Sequence, residues 1–268
     1  MDEMTLEDGS VVRTGCKQPD VLKFAAAPAW DEANPVLSEA ECLDTERLRP
    51  FLSPAKYQKN NNCTNAALAG LGEAIERASG VEDVPRLSMT MQYALHNGGT
   101  DQGAFCRDLA DDYRGRGLCR ESLWGDDKIY LPRGGLPAAV LDDAKNHVAI
   151  EIYQCMDWSH VRSALARDFF VYHGFVLGNS FFSTKKDGKV PSFDGSFRNG
   201  HAMFSWGLTR RFGDLRACTR NSWDVSFGDQ GDCYIPAGYF WGQSGNYVNL
   251  DAYAIRAIRR VDRLPIAT

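Results

Sequence analysis

The stretch Asn60-Asn61-Asn62-Cys63-Thr64-Asn65-Ala66-Ala67-Leu68-Ala69 decides how the rest of the chain is read. Short polar residues run directly into a segment in which Leu68, Leu71, Ile75 and Ala78 recur at helical spacing. Asn62 is placed to cap that helix and Gly80 to stop it, while Glu73 and Arg77 are spaced as an i,i+4 pair on its other side. Cys63 therefore stands at a helix amino end. Unpaired N–H groups and the helix dipole there favour a thiolate, the form of cysteine that attacks carbonyl carbon. A buried structural cysteine could start a helix in the same way, so position alone does not make Cys63 a nucleophile.

Moving outward, a short helix is expected over 89–96, capped by Ser88 and stopped by Asn97-Gly98-Gly99. A third helix carries Phe105, Leu109 and Tyr113 at spacing four and ends at Gly115 and Gly117. The character then changes. Val148, Ile150 and Ile152 alternate as in a strand, a helix with Val161 and Leu165 follows, and 169–178 is a buried-strand run. Further strands are expected at 201–207, 215–219, 233–235 and 252–258. A helical half followed by a strand-rich half predicts an α+β protein with two lobes. Residues 1–45 are polar and interrupted by Pro and Ala, and read as an arm or strap rather than a core element.

Two further places could carry chemistry. His201 opens His201-Ala202-Met203-Phe204 after Asn199-Gly200, so its ring is expected at the rim of a sheet. Asn221-Ser222-Trp223 follows a strand-like run; an asparagine amide can accept the second imidazole N–H, and an indole can shield that bond from water. Taken singly, these are an edge histidine and a polar turn.

Composition narrows the field. The 268 residues suffice for one large domain or two lobes, and 44% hydrophobic with 24% charged residues is ordinary for a globular protein. A net charge of -5, with both signs dispersed, gives no argument for a nucleic-acid or membrane partner. Arg256, Arg259 and Arg260 read as a solvated face. The run 169–178 carries His173 and is too short to span a bilayer. The acidic start Met1-Asp2-Glu3-Met4, without a following apolar region, argues against a signal peptide and for a cytoplasmic setting. Eight cysteines without a CxxC pair then predict reduced thiols and no structural zinc. Gly70-Leu71-Gly72 lies within a helix and is no dinucleotide fingerprint. His147, His160 and His173 are too far apart to chelate locally, and Cys106, Cys119, Cys155, Cys218 and Cys233 read as small buried residues.

Cys63, His201 and Asn221 in this order and separation resemble the papain family of cysteine peptidases, and more closely its bacterial and phage branch. The resemblance begins near Asp44 and runs through several motifs in order. They are Leu48-Arg49-Pro50, Asn62 through Ala69, Leu87-Ser88, Gly103 through Gly117 and Glu121-Ser122-Leu123-Trp124. Then come Gly200-His201-Ala202, Arg220-Asn221-Ser222-Trp223, Phe227-Gly228-Asp229-Gln230-Gly231 and Tyr234-Ile235-Pro236.

The resemblance implies a papain-like α+β fold: an N-terminal arm (1–45), a helical lobe (about 46–145) carrying Cys63, and a strand-rich, β-barrel-like lobe (about 146–268) carrying His201 and Asn221, with the cleft between. It implies hydrolysis of peptide or protein substrates through a thioester acyl-enzyme, with a Cys63–His201–Asn221 triad, Trp223 in support, and no metal or organic cofactor. Two departures stand out. Family members carry a glutamine six residues before the nucleophile as an oxyanion donor, whereas here that place is Tyr57 and the glutamine is Gln58, so Gln58, Asn60 and Asn61 are the candidate donors. Asp224 follows Trp223 where the family usually has glycine. No long pro-segment is recognisable, which predicts no N-terminal inhibitor domain. The competing readings are a catalytically silent papain-fold subunit with a structural role and an assembly partner, for example virion-associated in a phage particle, and an amidase or transpeptidase on the same fold.

Overall fold

A computed structural model of the chain describes residues 3–6, 9–17, 27–149, 151–240, 243–244, 247–248, 251–256 and 258–259. Ile150 and Arg260, read above as strand and basic-face residues, lie outside the described residues. The helices are α1 (Trp30–Ala33), α2 (Cys63–Ala78), α3 (Met91–His96), α4 (Cys106–Gly115), α5 (Ala138–Ala144) and α6 (Trp158–Ala166).

The central helix is α2, and every residue from Cys63 to Glu76 on it is buried. Gly72 permits this closeness: a Cβ there would lie 2.9 Å from both Leu87 Cδ1 and Tyr113 Oη. The helix consequently lacks the outer charged face expected of it. Glu73 is buried and meets Lys56 Nζ at 2.7 Å instead of Arg77, whose guanidinium donates to the Phe51 carbonyl. Asn62 does not cap α2 either, because its side-chain amide donates to the Met89 carbonyl at 2.8 Å. α3 starts at Met91 rather than Met89, so its N-cap is Thr90 and not Ser88, although Ser88 Oγ accepts from the N–H groups of Thr90 and Met91. Gly80, at φ +81°, ends α2 as expected.

In chain order the strands are β1 (Glu3–Thr5), β2 (Val11–Arg13), β3 (Cys16–Lys17), β4 (Ala104–Phe105), β5 (Val148–Ala149), β6 (Ile152–Cys155), β7 (Phe170–Val176), β8 (Gly200–Thr209), β9 (Arg216–Arg220), β10 (Asp232–Pro236), β11 (Gln243–Ser244), β12 (Tyr247–Val248), β13 (Asp251–Ile255) and β14 (Ile258–Arg259). Six of them form an antiparallel sheet in the order β10-β9-β8-β7-β13-β6. The sheet is open, with β10 and β6 at its edges, so the expectation of a barrel-like lobe is corrected.

Both faces of the sheet are covered, which is why its strands read as unbroken apolar runs. Phe170, Tyr172, Ala202, Phe204 and Trp206 share one core with Leu68 and Leu71 of α2. Val171, Phe175 and Met203 point into a second core with Trp158, Val161 and Leu165 of α6. The sheet is thus held between α2 and α6, with Cys63 at the end of one layer and β8 beside it.

The first 45 residues are not wholly a surface strap. Val12, Cys16, Trp30 and Cys42 are buried. Trp30 meets Phe169 and Tyr153 edge-on, with ring centroids 5.1 and 5.9 Å apart. Nearer the amino end, β1 pairs with β2, and β3 pairs in parallel with β4 of the helical half, Cys16 opposite Ala104.

Candidate active site

The loop before α2 is held from two sides. Lys56 ties it to Glu73 inside the helical lobe, and Glu73 also accepts from the Leu87 N–H at 2.8 Å. On the other side Gln58 N–H donates to the Ser222 carbonyl at 3.0 Å, and Tyr57 pairs with Trp223 as an isolated bridge. The segment leading into Cys63 is therefore bonded to the segment that carries Asn221.

On the sheet, Phe204 of β8 lies opposite Arg220 of β9. Continuing that antiparallel register sets Asn221 beside the start of β8, where His201 stands. The imidazole Nε2 lies 2.8 Å from Asn221 Oδ1, and the Trp223 ring stacks on His201 with centroids 4.5 Å apart. A carbonyl oxygen only accepts, so Nε2 carries the proton in the neutral ring and Nδ1 is left as an acceptor. Nδ1 is buried and makes no hydrogen bond.

Cys63 is fully buried at the amino end of α2. Burial pushes its thiol up to about 12, although backbone groups of Ala202, Gly15 and Thr64 lie against the sulfur and favour its charged form. Burial likewise pulls His201 down to about 4, partly offset by the Asn221 bond. In this conformation burial opposes the thiolate that the helix terminus favours. Burial disfavours both the thiolate and the imidazolium, against a helix dipole worth about 1 kcal/mol.

Residues 13–17 lie across Cys63, with the Gly15 backbone against its sulfur. The Arg13 carbonyl accepts from Gln58 Nε2 at 3.1 Å and from Trp223 Nε1 at 3.0 Å. The Gly15 carbonyl accepts from Ala104 N–H at 2.9 Å. Both neighbours press on Gly15: its Cβ, if present, would lie 1.9 Å from the Asn61 oxygen, and a Cβ on Gly103 (φ +85°) would lie 1.9 Å from the Gly15 oxygen. An extended peptide segment thus crosses the cleft between the 60–63 turn and β4. Beside it an open space of about 780 Å³ is lined by Thr14, Asn60, Asp101, Gln102 and Tyr130 among others.

Among the three oxyanion candidates the geometry discriminates. The Asn60 amide donates to the Asp126 carbonyl and the Asn61 amide to the Asp101 carbonyl at 2.6 Å, so both brace the turn. The Gln58 amide also braces the turn, donating to the Asn60 carbonyl at 3.0 Å, but it alone of the three additionally donates to the Arg13 carbonyl, while its Oε1 accepts from Ser222 Oγ at 2.5 Å. Asp224 adopts φ 69°, a conformation in which glycine is unstrained, and its carboxylate accepts from the Val225 N–H at 2.7 Å. The histidines discounted above are all buried: His147 on Glu76, His173 on Ser205 Oγ at 2.9 Å, and His160 near Asp157. Among the described residues no group of three or more His, Cys, Asp and Glu is placed to hold a metal, and no helix is long and apolar enough to cross a membrane.

Two features of the site escaped sequence reasoning: the strand through the cleft and the Lys56–Glu73 pair. Neither leaves a periodic signal, because each joins residues distant in the chain.

The fold is that of the papain-like cysteine proteases. Xylellain, a cysteine protease from Xylella fastidiosa, superposes with a TM-score of 0.64 at 19% identity, over 93% of this chain and 100% of that one. Procathepsin B from Trypanosoma congolense gives 0.62 at 16% identity, over 91% and 86%. The ragweed pollen allergen Amb a 11, a cysteine protease in its proform, gives 0.63 at 15% identity, over 90% and 70%. No protein-family model matches the sequence, and neither does any curated protein.

Proposed function

We propose that the chain is a cysteine peptidase with Cys63 as nucleophile, His201 as proton carrier and Asn221 as the residue that orients the imidazole. In this reading Gln58 Nε2 and the Cys63 N–H hold the oxyanion, and residues 13–17 keep the cleft closed. The observation that carries the reading is the Arg13 carbonyl on the Gln58 amide: the cleft beside Cys63 already receives an extended peptide and aims a donor at its carbonyl. Residues 46–268 are assigned as the peptidase unit and 1–45 as its strap. Placement in the bacterial and phage branch rests on the sequence motifs.

When residues 13–17 leave, water reaches the site and the thiol and imidazole return toward their ordinary values. Cys63 Sγ, which makes no hydrogen bond to His201 Nδ1 in the closed state, then comes within reach of it and passes its proton to that nitrogen. The thiolate attacks the scissile carbonyl carbon, and the C=O electron pair moves onto oxygen facing the Gln58 amide. Collapse expels the amine, which takes the proton from Nδ1, and leaves a thioester on Cys63. His201 next removes a proton from water, the hydroxide attacks the thioester, and the carboxylic acid departs as the thiol re-forms. Asn221 and Trp223 keep the ring from turning between these steps.

The burial of Cys63 and the filled cleft favour a second reading, a silent scaffold that binds a partner through the same fold. A peptidyl epoxide separates the two. On the peptidase reading it modifies Cys63 ahead of the other seven cysteines, and Cys63→Ser abolishes turnover. Uniform labelling, or a different fastest cysteine, would favour the scaffold.

A further inference from the structure

Cys16 and Cys106 meet inside the closed cleft. Cys16 opens β3 and Cys106 opens α4 directly after β4, so the parallel β3–β4 pair sets them side by side. Their sulfurs are 3.6 Å apart, and both residues are buried. Both sulfurs lie over Gly174 of β7, where a Cβ would come within 2.5 Å of one and 2.7 Å of the other. Only glycine leaves room there for the two thiols together. A disulfide needs about 2.05 Å between sulfurs, an approach that side-chain rotation can supply. One of the two residues belongs to the segment that covers Cys63, and the other to the body of the helical lobe.

We propose that Cys16 and Cys106 are a redox modification site, oxidised by a low-molecular-weight disulfide, and that their cross-link locks residues 13–17 across the cleft. The locking of an enzyme rests on the peptidase reading above, whereas the cross-link itself does not. The bridge would join residues 90 positions apart and remove every conformation in which the strap is out.

The chemistry balances with glutathione disulfide as oxidant. The Cys16 thiolate attacks one glutathione sulfur, the S–S bond breaks, and a first glutathione thiolate leaves. The Cys106 thiolate then attacks the Cys16 sulfur of this mixed disulfide and expels a second. Two electrons pass from the protein dithiol to glutathione disulfide, and the two thiol protons end on the released glutathiones. Burial pushes the Cys106 thiol well up. The Cys106 contact favours the Cys16 thiolate, but burial, with the nearby Asp251 carboxylate adding to it, outweighs that contact and pushes Cys16 up as well. Oxidation accordingly begins on Cys16 while the strap is out and finishes as it seats.

The test incubates the full chain in buffers of increasing glutathione disulfide and maps peptides without reduction, while iodoacetamide labelling of Cys63 is followed in parallel. The expected result is a Cys16–Cys106 linkage, loss of Cys63 labelling on oxidation and its return with dithiothreitol. Cys106→Ser and Cys106→Ala should each keep Cys63 labelling under the same oxidant. Absence of the linkage at the most oxidising buffer, or a Cys63-containing disulfide in its place, overturns the proposal. So does loss of Cys63 labelling in both variants, which would mean that the oxidant modifies Cys63 itself. If the linkage and its effect on labelling appear while the reduced chain never turns over a peptide, the peptidase reading fails and the modification site stands.

Discussion

The side-chain amide of Gln58 donates to the main-chain carbonyl of Arg13 at 3.1 Å, and the Trp223 indole donates to the same oxygen. A donor five residues before Cys63 is thereby tied to a segment almost fifty residues upstream of it. A donor proposed to stabilise an oxyanion is occupied by the chain's own backbone, so access and chemistry can be separated by mutation.

Gly15→Val tests access. The added Cβ has no space beside the Asn61 carbonyl, so the substitution forces the segment out of the cleft without altering a residue assigned to the chemistry. Alkylation of Cys63 is expected to accelerate by about tenfold or more as the open population rises. Unchanged alkylation would show that residues 13–17 do not limit entry.

Gln58→Ala tests the oxyanion role, and is best made on the Gly15→Val background. Turnover should fall by about 10²–10³ in kcat while Cys63 alkylation stays fast, because alkylation passes through no oxyanion. Parallel loss of both would point to a collapsed loop instead.

Acid should weaken the closed state. His201 and His173 are held down to about 4 and about 3, each chiefly by burial, from an ordinary value of 6.5. The unfolded chain therefore binds more protons as pH falls below 6.5, and stability is lost toward the folded values. Asp251, raised to about 6 by burial, acts in the opposite sense: its contribution is present below 3.8 and lost as pH rises through 6. Asp126 and Asp232 are raised by burial too and act with Asp251, but the two histidine shifts are the larger, so the calorimetric midpoint should drop between pH 7 and pH 4.5. A midpoint that is flat or rises toward acid would contradict the buried neutral histidines.

Lys56→Met should destabilise the protein by about 3 kcal/mol in urea unfolding, because it leaves the Glu73 carboxylate buried without its cation. Lys56→Met with Glu73→Gln should recover part of that loss. If the single variant unfolds like the parent, the pair does not anchor the loop before Cys63.

The sequence made the helix that starts at Cys63, the helical and strand-rich halves and the segments of His201 and Asn221 legible, because each is a local pattern: a helical period from Cys63, strand runs around β7 to β9, glycine turns between them. Burial decided the rest. Glu73 and Arg77 have the spacing of a surface pair, yet packing against Leu87 and Lys56 takes Glu73 inside. The strand-rich lobe stays open where a barrel was expected, since α2 and α6 cover its two faces and β6 and β10 remain edges. The strap is invisible to any period because β3 is two residues long and pairs with a strand more than eighty residues away.

The aromatic cluster of Trp30, Tyr153 and Phe169 gives the strap a further property. It fastens the chain downstream of residue 17, and the Thr45 N–H bond to the Leu208 carbonyl fastens it again. Residues 13–17 can therefore leave the cleft without leaving the molecule. Tethered in this way they compete at an effective concentration on the order of millimolar, whatever the amount of protein in solution. Dilution should leave the closed fraction unchanged, and a peptide substrate would compete with a neighbour that never diffuses away.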